Sequence, residues 1–142
     1  MNTIGRLVIL VRDYEEAITF YRDKLGFEVF VDSEESSLRF VHLRLPQQKN
    51  MGIWLLKASS SAQRDQVGRQ TAGEPCAVIY TNNFDFDYRR LSENGVHFTK
   101  PRCADTNAEF GHFVDLYGNE FVLVELKTVA ADYYHSSKKS AV

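Results

Sequence analysis

The alternation of apolar and polar positions marks out a strand, a helix and a second strand between Leu7 and Asp32, with little slack between them. Leu7 to Val11 is an aliphatic, partly β-branched run that suits a strand with apolar neighbours on at least one face. Asp13 stops it and is a natural N-cap, and Glu16, three residues later, completes a capping box. Tyr14, Ala17, Ile18, Tyr21 and Leu25 then recur at spacings of three and four, so one helix stripe is apolar while Glu15, Thr19, Arg22 and Asp23 face water. Gly26 is placed to close the helix in the left-handed conformation. Phe27, Val29 and Val31, alternating with Glu28 and Asp32, carry the period-two pattern of a half-buried strand.

The pattern continues in strands. Leu38 to Leu45 places Val41, Leu43 and Leu45 on one face and Leu38, Phe40 and His42 on the other, and Met51 to Lys57 forms a fourth strand with the single tryptophan, Trp54. Ser59 to Gly73 is polar and reads as a linker crossing the surface. The plan then repeats. Pro75 to Thr81 is a strand, and Asn83 caps a helix whose stripe is Phe84, Tyr88 and Leu91. Gly95 ends that helix, Val96 to Thr99 is a short strand and Lys100 to Ala108 a loop. Phe110 to Asp115 and Glu120 to Leu126 are the last two strands, joined at a Gly118-Asn119 turn. Arg6 to Asp13 spans seven positions, as does Cys76 to Asn83, so two βαβββ modules follow one another at a period of about 70 residues.

The predicted organisation is an α+β domain over residues 1–127, with module one at 1–58, a linker at 59–73, module two at 74–127 and a polar tail at 128–142. Composition changes this little. The chain has 142 residues, 44% of them apolar and 25% charged, with a formal net charge of -2. That suits one ordinary globular domain and offers no basic surface for nucleic acid. The two cysteines, Cys76 and Cys103, lack CxxC spacing, and the N-terminal apolar run is too short for a signal or membrane segment. The expected setting is the cytoplasm, without membrane or nucleic-acid partners.

Two tandem βαβββ modules, the D-x-x-x-A-x-x-F-Y-x-x-x-L-G-F segment at Asp13 to Phe27 and the D-x-x-G-N turn at Asp115 to Asn119 resemble the glyoxalase, bleomycin-resistance and extradiol-dioxygenase superfamily, also called vicinal oxygen chelate. The resemblance covers roughly residues 3 to 127. It implies a curved, partly open eight-stranded sheet around a cavity, usually within a homodimer. In enzymatic members it also implies a divalent metal held by His, Gln or Glu from the first and last strands of each module. Here those positions fall on Arg6, Cys76 and Val122, with the fourth at or beside Trp54. Arginine has no lone pair to give, and its charge ~4 Å from a dication would cost roughly 8 kcal/mol at an effective dielectric of about 20. No metal or other cofactor is therefore expected.

What remains are candidates for ligand binding. Arg6 suits a carboxylate or phosphate, or else lays its stem on apolar surface with its head in water. Trp54, Tyr80, Cys76 and Val122 line a cavity wall, or else belong to the core. His112 and Glu120 are candidates for acid–base chemistry. The leading expectation is a metal-independent protein that binds a small aromatic or anionic molecule in an inter-module or dimer cavity. The alternative is an enzyme of the glyoxalase (lyase or isomerase) or dioxygenase type whose metal site has moved.

Overall fold

The computed structural model describes residues 1–127; the polar tail read at 128–142 lies outside the described residues. In chain order the elements are β1 (Arg6–Val11), α1 (Tyr14–Thr19) followed by a π-helical turn (Phe20–Lys24), β2 (Glu28–Glu35), β3 (Leu38–Arg44), β4 (Gly52–Lys57), α2 (Ser61–Gln66), β5 (Pro75–Tyr80), α3 (Phe84–Glu93), β6 (Phe98–Ala104), β7 (Ala108–Val114) and β8 (Glu120–Leu126). The strands make two four-stranded sheets, ordered β1-β4-β3-β2 and β5-β8-β7-β6. In each, the first and last strands of the module run parallel and the other neighbours antiparallel. The tandem plan expected from the pattern is the one found, as two open mixed sheets. The described residues divide into two compact units, one of residues 1–73 with 115–119, the other of 74–114 with 120–127.

In the first unit, Asp13 is extended and its carboxylate accepts the Glu16 N–H at 3.0 Å, as the cap requires. The capping box closes differently from the sequence reading. Glu16 accepts the Tyr117 hydroxyl at 2.7 Å, and the Asp13 N–H points to that same phenol oxygen. Burial, and next to it the bond to Glu16, push the Tyr117 phenol well above its ordinary pKa. The helix also widens: the Leu25 N–H bonds the Phe20 carbonyl five residues back, and Gly26, at φ +83°, ends it. Ala17, Ile18, Tyr21 and Leu25 are buried, together with Ile9, Val11, Val41, Leu43, Ile53 and Leu55 from one face of the sheet. That face and the helix form the core of this unit.

Beside that core lies a carboxylate. Asp115 is 5% exposed. One of its oxygens accepts the Tyr21 hydroxyl at 2.6 Å and the Asn119 side-chain amide at 2.8 Å, and the other accepts the backbone N–H groups of Tyr117 and Asn119, both at 2.9 Å. Four donors saturate its lone pairs, which is what a buried charge needs. The segment read as a linker crossing the surface contains α2, capped by Ser60, whose hydroxyl accepts the Gln63 N–H. Further on, the Gln70 amide bonds the Val8 carbonyl and the Leu10 N–H, pairing the edge of β1 as a neighbouring strand would.

The second unit repeats the scheme with α3. Asn83 accepts the Phe86 N–H, and Phe84, Leu91 and Val96 are buried with Phe113, Phe121 and Leu123. Phe113 and Phe121 stack at 5.3 Å. One boundary is corrected: the strand expected to stop at Thr99 runs to Ala104, because register shifts between Lys100 and Cys103 absorb Pro101, which has no N–H for a ladder.

Tyr21→Phe deletes one donor to a buried carboxylate and is expected to lower the unfolding free energy in urea by about 2 kcal/mol. An effect below about 0.5 kcal/mol would mean that the remaining donors and water satisfy Asp115 without it.

Candidate functional site

A strand shows alternate side chains to opposite faces, so the buried residues of each sheet fix what lies on the other side. In the first unit the face without a helix carries Arg6, Val8, Phe40, His42, Arg44 and Trp54, most of them half-buried. The register sets them in rows: Val8 pairs with Trp54 and Trp54 with His42, while Arg6 pairs with Gly52. Gly52 is buried, and a Cβ there would stand 2.3 Å from the Leu43 carbonyl oxygen. No other residue fits this spot, and the row next to Arg6 is left without a side chain.

Arg6 lies among aromatic rings. Its guanidinium carbon is 4.4 Å from the centre of the Phe30 ring, its Nε–H donates to His42 Nδ1 at 3.1 Å, and another N–H donates to the Gly5 carbonyl at 2.6 Å. Arg44 sits 4.5 Å from the same Phe30 ring. Glu28 answers Arg44 at 2.7 Å and Lys49 at 3.1 Å, and these two bonds hold its carboxyl below the ordinary range. Two cations thus share one carboxylate, and no carboxylate among the described residues pairs with Arg6. His42, 5.9 Å from Trp54 and 6.1 Å from Phe30, has its pKa lowered by burial first and by the Arg6 charge second. It is the neutral acceptor that the Arg6 Nε–H requires. Trp54 Nε1 is buried with no hydrogen-bond partner among the described residues.

In the second unit, the corresponding face carries Cys76, Val78, Tyr80, Phe110, His112, Glu120 and Val122. Val78 pairs with Val122 and His112 with Val122, and Tyr80 pairs with Val124. Val78 and Tyr80 are 51% and 47% exposed. Cys76 sits where the register shifts between Pro75 and Ala77, and its thiol forms no disulfide among the described residues. His112 Nδ1 lies 3.5 Å from Glu120 Oε1, which accepts the Thr99 hydroxyl at 3.0 Å. Glu125, on the opposite parity, is occupied in accepting the Phe84 N–H at 2.9 Å.

The structure thus brings Arg6 and Trp54 together in one unit and Tyr80, Val122, His112 and Glu120 in the other. The sequence reading missed Phe30, Arg44 and Thr99 as neighbours of these residues. Phe30 was hidden by the register shift between Val29 and Val31, which breaks the alternation used to assign faces. His42 was legible as a partner of Phe40, but its contact with Arg6 spans three strands.

The residues at the four positions implied for metal ligands do not fit a divalent cation. In the first unit a guanidinium and an indole N–H are donors without a lone pair to offer, and in the second a valine and a single thiol leave one usable ligand. Among the described residues no group of three or more His, Cys, Asp and Glu side chains converges. Nor is any described helix long and apolar enough to cross a membrane.

The family model described as Glyoxalase/Bleomycin resistance protein/Dioxygenase superfamily matches residues 3–123. An uncharacterized protein of Shewanella frigidimarina (strain NCIMB 400) is 32% identical over 127 residues, covering 88% of this chain and 94% of its own. The metallothiol transferase FosB of Staphylococcus haemolyticus (strain JCSC1435) is 28% identical over 141 residues, covering 95% and 92%. Among solved structures, TnmS3, an antibiotic binding protein from Streptomyces sp. CB03234, superposes with a TM-score of 0.74 at 20% identity, over 89% of this chain and 98% of its own.

Because the folded state resists protonating His42, the unfolded chain takes up that proton more readily as pH falls. The stability linked to this group is intact above the ordinary imidazole value of about 6.5 and is lost as pH drops below it toward the lowered folded value. Urea unfolding of the parent and of His42→Gln at pH 7.5 and 5.5 checks this. The parent is expected to lose more stability between the two pH values, and equal losses would count against a neutral, buried His42.

Proposed function

We propose that this chain, which belongs to the glyoxalase/bleomycin resistance protein/dioxygenase superfamily, is a metal-independent binder of a small, flat aromatic molecule bearing an anionic group. The observation that carries the reading is the Arg6 guanidinium, half-buried against Phe30 and His42 with no carboxylate partner among the described residues. A fixed cation drawn into such surroundings without a carboxylate is poorly solvated, and an anion from outside restores the balance. The neighbouring rings offer stacking surface for a flat ligand, and the indole N–H of Trp54 offers a donor that no group among the described residues uses. Likeness in fold to an antibiotic binding protein agrees with a binding role.

The residues carry distinct roles. Arg6 meets the anionic group as a planar fork, His42 holds the guanidinium in place by accepting its Nε–H, and Phe30 and Trp54 form the apolar wall. Tyr80, Cys76 and Val122 belong to the second unit's face and would contribute apolar lining there. A metal-dependent activity of the kind FosB's name describes has no ligand set at the family positions of this chain, so the binding reading is preferred.

Since the chain has one tryptophan, its fluorescence reports on this face directly. Naphthalene-2-carboxylate is expected to quench it saturably, and the uncharged carboxamide to bind about tenfold more weakly or worse. By calorimetry, Arg6→Gln should weaken the carboxylate about tenfold or more while leaving the amide nearly unchanged, in line with a charge-assisted hydrogen bond of about 1.5–3 kcal/mol. Equal affinity of parent and Arg6→Gln for the carboxylate would sink the reading. Exhaustive chelation is expected to change none of these affinities; loss of binding on chelation, restored by a divalent metal, would place the metal-dependent alternative first.

A further inference from the structure

The two units repeat one another row for row with the charge inverted. His42 faces Trp54 and Trp54 faces Val8; in the second sheet His112 faces Val122 and Val122 faces Val78. The residue two before Trp54 is Gly52, and the residue two before Val122 is Glu120. The first unit leaves that position without a side chain beside an arginine, whereas the second fills it with a carboxylate. One histidine accepts a bond from a cation, and its counterpart stands beside an anion.

We propose that His112 and Glu120 form a recognition site for an organic ammonium group bearing at least two N–H donors. The Glu120 side chain is 15% exposed and that of His112 14%. A carboxylate this deep needs donors, yet among the described residues its only one is the Thr99 hydroxyl, and no Lys or Arg pairs with it. His112 Nδ1, 3.5 Å away, is itself buried without a hydrogen bond. No hydrogen bond joins the two groups, and with the ring proton on Nε2 the Nδ1 lone pair and the carboxylate stand as two acceptors side by side, which a cation donating one N–H to each satisfies together. Phe110, whose ring centre is 6.4 Å from that of His112, and the exposed Val78 and Tyr80 give the organic part of such a molecule apolar surface. A quaternary ammonium has no N–H and does not fit. The proposal stands on the second unit's residues and is independent of the reading given for Arg6.

Benzylammonium is the probe, with benzyl alcohol and benzyltrimethylammonium as controls, titrated into the whole chain while the His112 imidazole signals are followed by NMR. Saturable shifts with benzylammonium are expected, with both controls at least tenfold weaker. Glu120→Gln, which keeps the shape and an acceptor for Thr99, is expected to weaken benzylammonium about tenfold or more. Three results would overturn the proposal: benzyltrimethylammonium binding as well as benzylammonium, Glu120→Gln binding unchanged, or no saturable shift with the primary amine. A fourth would do so without any ligand: nitrogen shifts at neutral pH showing a proton on His112 Nδ1 bonded to Glu120, in the neutral or the doubly protonated ring, since the pair would then satisfy itself.

Discussion

Each four-stranded sheet has two faces and, in its own unit, one main helix to lay against them. That constraint organises the molecule. The face taken by α1 or α3 becomes core and excludes almost everything polar; the other is left half-buried, where a charge or an orphan donor can persist. Arg6, Trp54, His112 and Glu120 all lie on these second faces. Ile9, Leu43, Phe113 and Phe121, one residue out of phase or on the neighbouring strand, are buried beneath a helix. The period of two in a strand is what keeps these populations apart.

The Asp115 carboxylate shows how the fold handles a charge it must bury. Four donors are brought to its two oxygens, and one of them, Tyr21, belongs to the widened end of the first helix. The π-helical turn fits this arrangement: extra residues at a helix end re-aim the side chains that follow. Arg6 and Glu120 are treated differently. Arg6 donates to His42 and to the Gly5 carbonyl, Glu120 accepts from Thr99, and neither meets a Lys, Arg, Asp or Glu of opposite charge among the described residues. A saturated buried charge holds structure; the unsaturated ones on the faces without a helix are what the two proposed binding sites rest on.

The same row of the same module carries opposite chemistry in its two copies, with no difference in backbone plan. Exchanging glycine for glutamate two positions before the central residue of the last strand, and arginine for the Pro75–Cys76 bulge on the first, is enough. A fold of repeated modules permits this because the core faces, which fix the register, are untouched by changes on the other side. Shared architecture therefore does not specify what either face would bind.

Local spacing settled much of this before any tertiary contact was considered. Asp13, Asn83, Gly26 and Gly95 mark helix ends by capping and left-handed backbone geometry, which depend on neighbours in the chain. The helical stripes and the alternation in β3 placed much of the core, whereas the positions of Arg6, Trp54 and Val122 came from counting along the pattern of the family that the sequence resembles. Two features escaped a pattern reading: the bulge that turns Phe30 toward Arg6, and the strand that continues past Pro101. A bulge shifts parity without changing composition. Only the tertiary structure decided which charges go unpaired. The Arg6–His42 bond joins residues 36 positions apart, the Tyr21–Asp115 bond joins residues 94 apart, and Glu16 gives its carboxylate to Tyr117 instead of its own helix cap. Spacing along the chain fixes which face a residue occupies, but its partner comes from whichever strand the sheet order sets beside it.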